Sequence, residues 1–162
     1  MIDFDSIEQH VEWSFADIDQ ADMQNPRYQA AWHARSLHDS PDETGQPLST
    51  MHESLKDQLL QLFMDRCDLP GDWDYLGVQK YETGDYIPPH TDSWPWHRLL
   101  MLTTSDVDGL VLHDAGQQRF IFHPDQAGNI INIPPMTTHW VNPVRQSPRY
   151  TAVIGSQMMN LV

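Results

Sequence analysis

Cysteine is almost absent from this sequence. Cys67 is the only one among 162 residues, so neither an intrachain disulfide nor a zinc site of several cysteines can form. A lone thiol is typical of a buried residue in a reducing compartment. The sequence also lacks a signal-peptide pattern and any stretch near the roughly 18 apolar residues of a membrane span. We therefore expect a soluble, cytoplasmic protein.

Basic residues are also scarce. Nine lysines and arginines face 23 aspartates and glutamates, which gives a formal net charge of −14. This charge repels nucleic-acid phosphates and anionic membrane surfaces, although it also serves solubility alone. No basic stripe interleaved with aromatic residues is present. We expect a small-molecule or peptide substrate, and neither a nucleic acid nor a membrane as partner.

Residues 1–74 are expected to form a helical support region. Apolar residues at helical spacing near the start predict a short first helix, and the polar segment 36–49 indicates a loop. The pair Thr50 and Glu53 has the pattern of a capping box and predicts a second helix over 51–66. This helix is expected to cover the core.

From residue 75 to 157 the pattern changes to short strands separated by glycine- and proline-rich turns. The predicted strands are 75–81, 87–93, 98–104, 110–113, 119–123, 129–133, 138–141 and 150–157. About eight short strands fit a jelly roll or a small barrel. We therefore predict a mostly β fold with supporting helices, in a single domain over 1–162.

His90 and Asp92 are candidate metal ligands. On a strand, residues two apart point to the same face, so an imidazole and a carboxylate can converge there. Such a pair is two thirds of the 2-His-1-carboxylate triad that binds non-haem iron(II). About one His-x-Asp pair is expected by chance in this composition, so the pair alone is weak evidence.

A second pair, His123 and Asp125, competes for this role. A triad on a jelly roll takes its third ligand from a distant strand, and 47 positions separate Asp92 from His139, enough for about four strands. Only 14 positions separate Asp125 from His139, and Pro124 within the second pair fits a central strand poorly. The spacing favours His90, Asp92 and His139.

Arg149 begins the last predicted strand, where it shares a face with Thr151 and Val153. A cation in a strand made for burial needs an anion. A carboxylate bound in two-pronged fashion, beside the Thr151 hydroxyl, would meet that need. An arginine at a strand edge, solvated or paired with one of the many acids, is the alternative.

Four segments together resemble the prolyl-4-hydroxylase-like family of 2-oxoglutarate/iron(II) oxygenases. Residues 81–92 (YETGDYIPPHTD) look like that family's approach to its first two ligands, and 128–134 (GNIINIP) are similar to the strand before its second histidine. Residues 139–144 (HWVNPV) and 149–151 (RYT) resemble its last third. The combined pattern is far more specific than any one segment.

The resemblance implies a double-stranded β-helix core in which His90, Asp92 and His139 bind iron(II). Arg149 would bind the distal carboxylate of 2-oxoglutarate, and Tyr81 matches a tyrosine that often contacts this cosubstrate. The implied reaction consumes dioxygen, releases succinate and carbon dioxide, and hydroxylates a protein side chain, of prolyl type, or a small amino-acid-like substrate.

Trp94 and Trp96, just past the first ligands, are candidate walls of the substrate pocket, or else core residues. Two other functions stay open. A cupin-type metal-binding β-barrel could share the ligands and have no use for Arg149. A nucleic-acid-modifying oxygenase would share the chemistry, but the sequence lacks its basic surface.

Overall fold

The computed structural model describes residues 2–15, 28–33 and 51–156, so the predicted loop over 36–49 and Thr50 lie outside the described residues. Two helices are described, α1 (Phe4–Gln9) and α2 (Glu53–Arg66). The strands are β1 (Ser14–Phe15), β2 (Tyr28–His33), β3 (Tyr75–Tyr81), β4 (Ile87–His90), β5 (Trp96–Met101), β6 (Gly109–Asp114), β7 (Arg119–Pro124), β8 (Ile130–Asn132), β9 (His139–Val141) and β10 (Arg149–Ser156).

The strands form two antiparallel sheets. The larger sheet has the order β1-β2-β3-β10-β5-β8, and the smaller has the order β4-β9-β6-β7. All eight strands predicted over 75–157 are present, and the mostly β, jelly-roll fold class is confirmed. β1 and β2 are additional: β2 pairs with β3, so the N-terminal region contributes strands as well as helices.

Side chains of the larger sheet alternate between two cores because successive residues of a strand point to opposite faces. Even-numbered residues such as Leu76, Leu100 and Ile154 pack with α1 and α2 in a first core. Odd-numbered residues such as Leu99 and Val153 pack with the smaller sheet in a second core. The candidate site lies in this second layer, between the sheets.

Helix α2 begins two residues later than a Thr50 cap would place it. Its N-cap is His52, whose Nδ1 accepts a hydrogen bond from the backbone N–H of Ser54 at 3.1 Å. Leu55, Leu59 and Phe63 are fully buried against the larger sheet. The helix therefore covers the core, as predicted. Neither described helix is long and apolar enough to cross a membrane.

Helix α1 is attached to the larger sheet through Glu8. The Glu8 carboxylate accepts hydrogen bonds from the Tyr150 hydroxyl (2.6 Å) and from the Trp13 indole (2.8 Å), and it pairs with Lys80 (2.8 Å). Partial burial by itself raises the pKa of Glu8, but these donors outweigh it and lower the pKa. Ionised Glu8 thus joins α1 to β3 and β10.

Candidate metal centre

His90 and His139 lie on neighbouring strands of the smaller sheet. β4 and β9 pair in antiparallel fashion, and the two histidines are direct cross-strand partners with ring centroids 4.2 Å apart. The sequence predicted a strand that includes Asp92, but β4 ends at His90, so Asp92 lies in the segment after the strand. A register shift interrupts the pairing of the two strands between Ile87 and His90. The three side chains nonetheless converge.

A contact of the same kind, between Nδ1 and the backbone carbonyl oxygen two residues earlier, orients each ring. His90 Nδ1 lies 2.9 Å from the carbonyl oxygen of Pro88, and His139 Nδ1 lies 2.8 Å from that of Thr137. A carbonyl oxygen can only accept, so each Nδ1 carries a hydrogen and donates it. In the neutral rings, Nε2 then carries a lone pair. This is the tautomer that binds a metal through Nε2.

Both Nε2 atoms face the same carboxylate oxygen. Asp92 Oδ2 is 3.2 Å from His139 Nε2 and 3.5 Å from His90 Nε2. Three acceptors this close repel one another unless a cation, a proton or a metal ion, lies among them. Two ligand atoms about 2.1 Å from one divalent metal lie about 3 Å apart when the angle between them is near 90°. The donor set and its spacing fit a metal ion.

The charge state of Asp92 suits this role. Burial alone would raise the pKa of Asp92, but hydrogen bonds and coulombic attraction from His139 and His90, which these rings supply when protonated, hold the pKa well below its ordinary value. The carboxylate is therefore ionised at neutral pH. Among the described residues, His90, Asp92 and His139 are the one group of three or more metal-ligating side chains whose ligand atoms lie within 4.8 Å of one another.

The triad opens into a cavity of about 240 Å³ between the sheets. Trp94 lines this cavity, and its ring lies 5.1 Å from Tyr75 and 4.8 Å from His97. Trp96 does not line the cavity, so of the two roles that the sequence left open for it, pocket wall or core residue, it has the second. It lies on the opposite face of β5 and packs against the first core. The reason is that the loop before β5 brings Trp94 into the site, whereas alternation within β5 turns Trp96 to the helices.

His97 belongs to the site but was not singled out in the sequence. It is 3% exposed, its Nε2 lies 4.0 Å from Asp92 Oδ2, and its Nδ1 is buried with no hydrogen-bond partner. Burial lowers the pKa of His97 to about 4, more strongly than Asp92 raises it, so the ring is neutral at pH 7. Its odd position on β5, facing the cavity with Leu99, was the available signal.

Arg149 is fully buried, and its anion is Asp125. Arg149 Nε donates to Asp125 Oδ2 at 2.7 Å, Nη2 donates to Oδ1 at 3.0 Å, and both side chains are 1% exposed. The two-pronged contact expected for a cosubstrate is thus made within the chain. Nη1 is buried without a partner. The N–H groups that Asp125 does not engage are both hydrogens of Nη1 and one hydrogen of Nη2.

Tyr81 and Thr151 both lie close to Arg149. The guanidinium carbon lies 4.7 Å from the centroid of the Tyr81 ring, and Tyr81 lines the cavity. Gln79 Oε1 accepts from the Tyr81 hydroxyl at 3.1 Å and from the Thr151 hydroxyl at 3.4 Å. Gln79 also lines the cavity and was not predicted. It connects the two residues.

His123 stands apart from the triad. It lies on β7, and it lines a different, more open cavity of about 560 Å³ whose lining includes none of the three candidate ligands. Pro124 ends β7, which is the outermost described strand of the smaller sheet, so its missing N–H is tolerated. The two members of this pair therefore differ in role: His123 lines the second cavity, and Asp125 pairs with Arg149.

The sequence matches no protein-family model and no curated protein. Solved structures are similar in fold. An oxidoreductase of the 2OG-Fe(II) oxygenase family from Burkholderia pseudomallei superposes with a TM-score of 0.66 at 16% identity, over 95% of this chain and 77% of that one. A prolyl-4-hydroxylase from Pseudomonas putida gives 0.58 at 16% identity, over 91% and 78%. The chain therefore has the jelly-roll fold of these 2OG-Fe(II) oxygenase structures.

Proposed function

We propose that this protein is an iron(II)- and 2-oxoglutarate-dependent dioxygenase. The observation that carries the proposal is the triad itself. Two histidines with Nδ1 fixed on backbone carbonyls direct Nε2 at one ionised carboxylate, at the wall of a cavity. The fold similarity to 2OG-Fe(II) oxygenases supports it. Three protein ligands of this type leave the remaining positions of an iron ion open.

His90, Asp92 and His139 would hold iron(II), and the end of the cavity near Tyr81 would hold the distal carboxylate of 2-oxoglutarate. Bound there, iron(II) and 2-oxoglutarate would activate dioxygen, which is the oxidant: two of its four electrons would come from decarboxylation of the cosubstrate and two from the hydroxylated C–H bond. Arg149 itself does not line the cavity, but its guanidinium lies against Tyr81, which does, and its buried Nη1 is the unpartnered donor that would meet this carboxylate. The chain itself contributes orientation and the exclusion of water.

The cavity favours a small target group. Its volume of about 240 Å³ lies below the roughly 300–1,000 Å³ typical of pockets for drug-sized ligands, and the cosubstrate would take part of it. Tyr75 and Trp94 provide a rigid aromatic wall at the cavity. We therefore propose that the substrate inserts one protein side chain, of prolyl type, or is a small amino acid, and that hydroxylation releases succinate and carbon dioxide.

The triad is tested by replacing each ligand in turn with alanine and measuring iron binding and succinate release. Loss of a contact that only supports a ligand typically lowers metal affinity or activity by about 10–100-fold. We expect iron affinity and the rate of succinate release to fall by more than this in each variant, because a direct ligand is removed. His113→Ala is the matched control, since His113 lies in the smaller sheet but outside the triad. Normal iron content and turnover in any triad variant that keeps the wild-type melting temperature would remove that residue from the metal site.

A second candidate, a metal-binding β-barrel that does not use 2-oxoglutarate, is favoured by one observation. The two-pronged donor face of Arg149 is already occupied by Asp125. The two candidates differ under anaerobic conditions. Addition of 2-oxoglutarate to the iron(II) protein should produce the weak visible charge-transfer band of a chelated 2-oxo acid. Absence of the band at saturating 2-oxoglutarate would favour the barrel.

A further inference from the structure

We propose that Asp125 is a positioning residue that sets the charge at the distal-carboxylate end of the cavity. It would hold Arg149 in place before any ligand binds, and it would leave the ligand only the N–H groups of Nη1 and Nη2 that point away from Asp125. The proposal rests on the proposed function, because it concerns how 2-oxoglutarate is recognised. It assigns Asp125, the acidic member of the second His-x-Asp pair, a role in cosubstrate selection instead of metal binding.

The geometry shows a closed pair. Asp125 receives Nε and Nη2 of Arg149 at 2.7 and 3.0 Å, which is a parallel two-bond contact with both side chains 1% exposed. The Tyr81 ring lies 4.7 Å from the guanidinium carbon. These contacts leave little freedom to the arginine. Arg149 is therefore held in one orientation against Tyr81, which lines the cavity, and its Nη1 is buried and unpartnered.

The charges oppose ligand binding. A buried arginine alone would present a full positive charge, and a carboxylate would bind it strongly in this low-dielectric environment. Asp125 cancels that charge before the ligand arrives. A distal carboxylate that reaches Nη1 then adds a second negative charge near the Asp125 carboxylate. Asp125 thus stabilises the ligand-free protein and weakens the binding of the distal carboxylate.

The substitution Asp125→Asn separates these effects. Asparagine keeps the shape and one accepting oxygen but removes the charge, so Arg149 becomes a buried cation without a counterion. The ligand-free variant should be less stable than wild type. The distal carboxylate should now bind about 10-fold or more tightly, because it becomes the counterion of Arg149.

The experiment uses two probes with the same 2-oxo acid group. 2-Oxoglutarate carries the distal carboxylate, and 2-oxopentanoate has the same chain length without it. Affinity for each is measured by calorimetry on the anaerobic iron(II) protein, and the melting temperature is recorded with and without ligand. We expect Asp125→Asn to raise the preference for 2-oxoglutarate over 2-oxopentanoate by about 10-fold or more.

Asp108→Asn is the matched control. Asp108 is buried at 4% exposure, but its carboxylate accepts from the backbone N–H groups of Arg145 and Gln146, at 2.8 Å each, and faces no arginine fork. This variant should be destabilised with an unchanged preference between the probes. An increase of the preference in Asp108→Asn equal to that in Asp125→Asn would overturn the proposal, because general loosening would then explain it.

The other outcomes are equally decisive. An unchanged or reduced preference in Asp125→Asn, with wild type binding 2-oxoglutarate, overturns the role of Asp125 and leaves the proposed function standing. If 2-oxoglutarate does not bind to the wild-type iron(II) protein, both the proposed function and the role of Asp125 are wrong. If the Asp125→Asn variant does not fold without ligand, the test is whether a probe restores folding. In that case, folding restored by 2-oxoglutarate and not by 2-oxopentanoate supports the proposal, and folding restored by neither probe overturns it. The double variant with Arg149→Met should fold and bind both probes alike.

Discussion

Gly155 on β10 allows two residues of the metal centre to take their positions. It is the cross-strand partner of His97. A Cβ atom added at Gly155 would lie 2.7 Å from the His97 Cβ, 2.7 Å from the Trp96 carbonyl oxygen and 2.8 Å from the Trp94 Cε3. All three distances are well below ordinary van der Waals contact. Because the Trp96 oxygen belongs to the backbone of β5, a small side-chain rotation cannot relieve the overlap.

We therefore expect Gly155→Ala to be destabilising and to disturb the cavity. Forcing a methyl group into a filled core costs about 1–3 kcal/mol. In a chain of this size each kcal/mol lowers the melting temperature by about 2–4 °C, so the expected loss is about 2–12 °C. Trp94 and His97 should move, because both face the added atom. Thermal unfolding reports the first effect, and near-ultraviolet circular dichroism of the aromatic side chains reports the second.

Gly71→Ala is the control, since a Cβ added there would meet nothing within 4 Å. That variant should stay within about 0.5 kcal/mol of wild type. Suppose that Gly155→Ala has the same melting temperature as the control and keeps the wild-type aromatic spectrum. Then β10 and β5 are not in such close contact, and the account of how Trp94 and His97 are placed is wrong.

Two further predictions concern His123 and Glu8. His123→Ala should retain iron binding, measured by metal analysis, because His123 lines the other cavity; loss of iron here but not in His90→Ala would reverse the choice of pair. Glu8→Gln should cost about 0.5–1 kcal/mol at pH 7, because ionised Glu8 joins α1 to Tyr150 and Lys80. The folded pKa of Glu8 is lowered, so this contribution is present above the ordinary value of 4.5 and disappears as the pH falls through the folded pKa. An equal cost at pH 3 and pH 7, by denaturant unfolding, would contradict it.

The strand pattern of residues 75–157 could be predicted because glycines and prolines mark its turns and because alternation is a local signal. The alternation on β10 correctly placed Arg149, Thr151 and Val153 on one face. β2 was missed because a strand of this kind is defined by its pairing with β3, which lies over 40 positions further along the chain. Such pairing leaves no mark that a window of the sequence can show.

The sequence also indicated that a buried Arg149 needs an anion, and this requirement is met in the structure. It did not identify Asp125 as the partner. The contact joins residues 24 positions apart across the two sheets, and the His-x-Asp spacing drew attention to metal binding instead. The sequence left the roles of Trp94 and Trp96 undecided for a related reason: the segment between Asp92 and β5 is not a strand, so alternation could not be carried through it.

The cross-strand pairing of His90 with His139 has a mechanical consequence. In the described part of the chain β4 has one hydrogen-bonded neighbour, β9, and a register shift interrupts that ladder. A metal ion bound by both histidines would link β4 to β9 where their pairing is interrupted. By mass action it would add about 2.7 kcal/mol at a free metal concentration 100 times its Kd. Chelation should therefore raise amide hydrogen exchange first in β4, well before the helix-covered sheet opens.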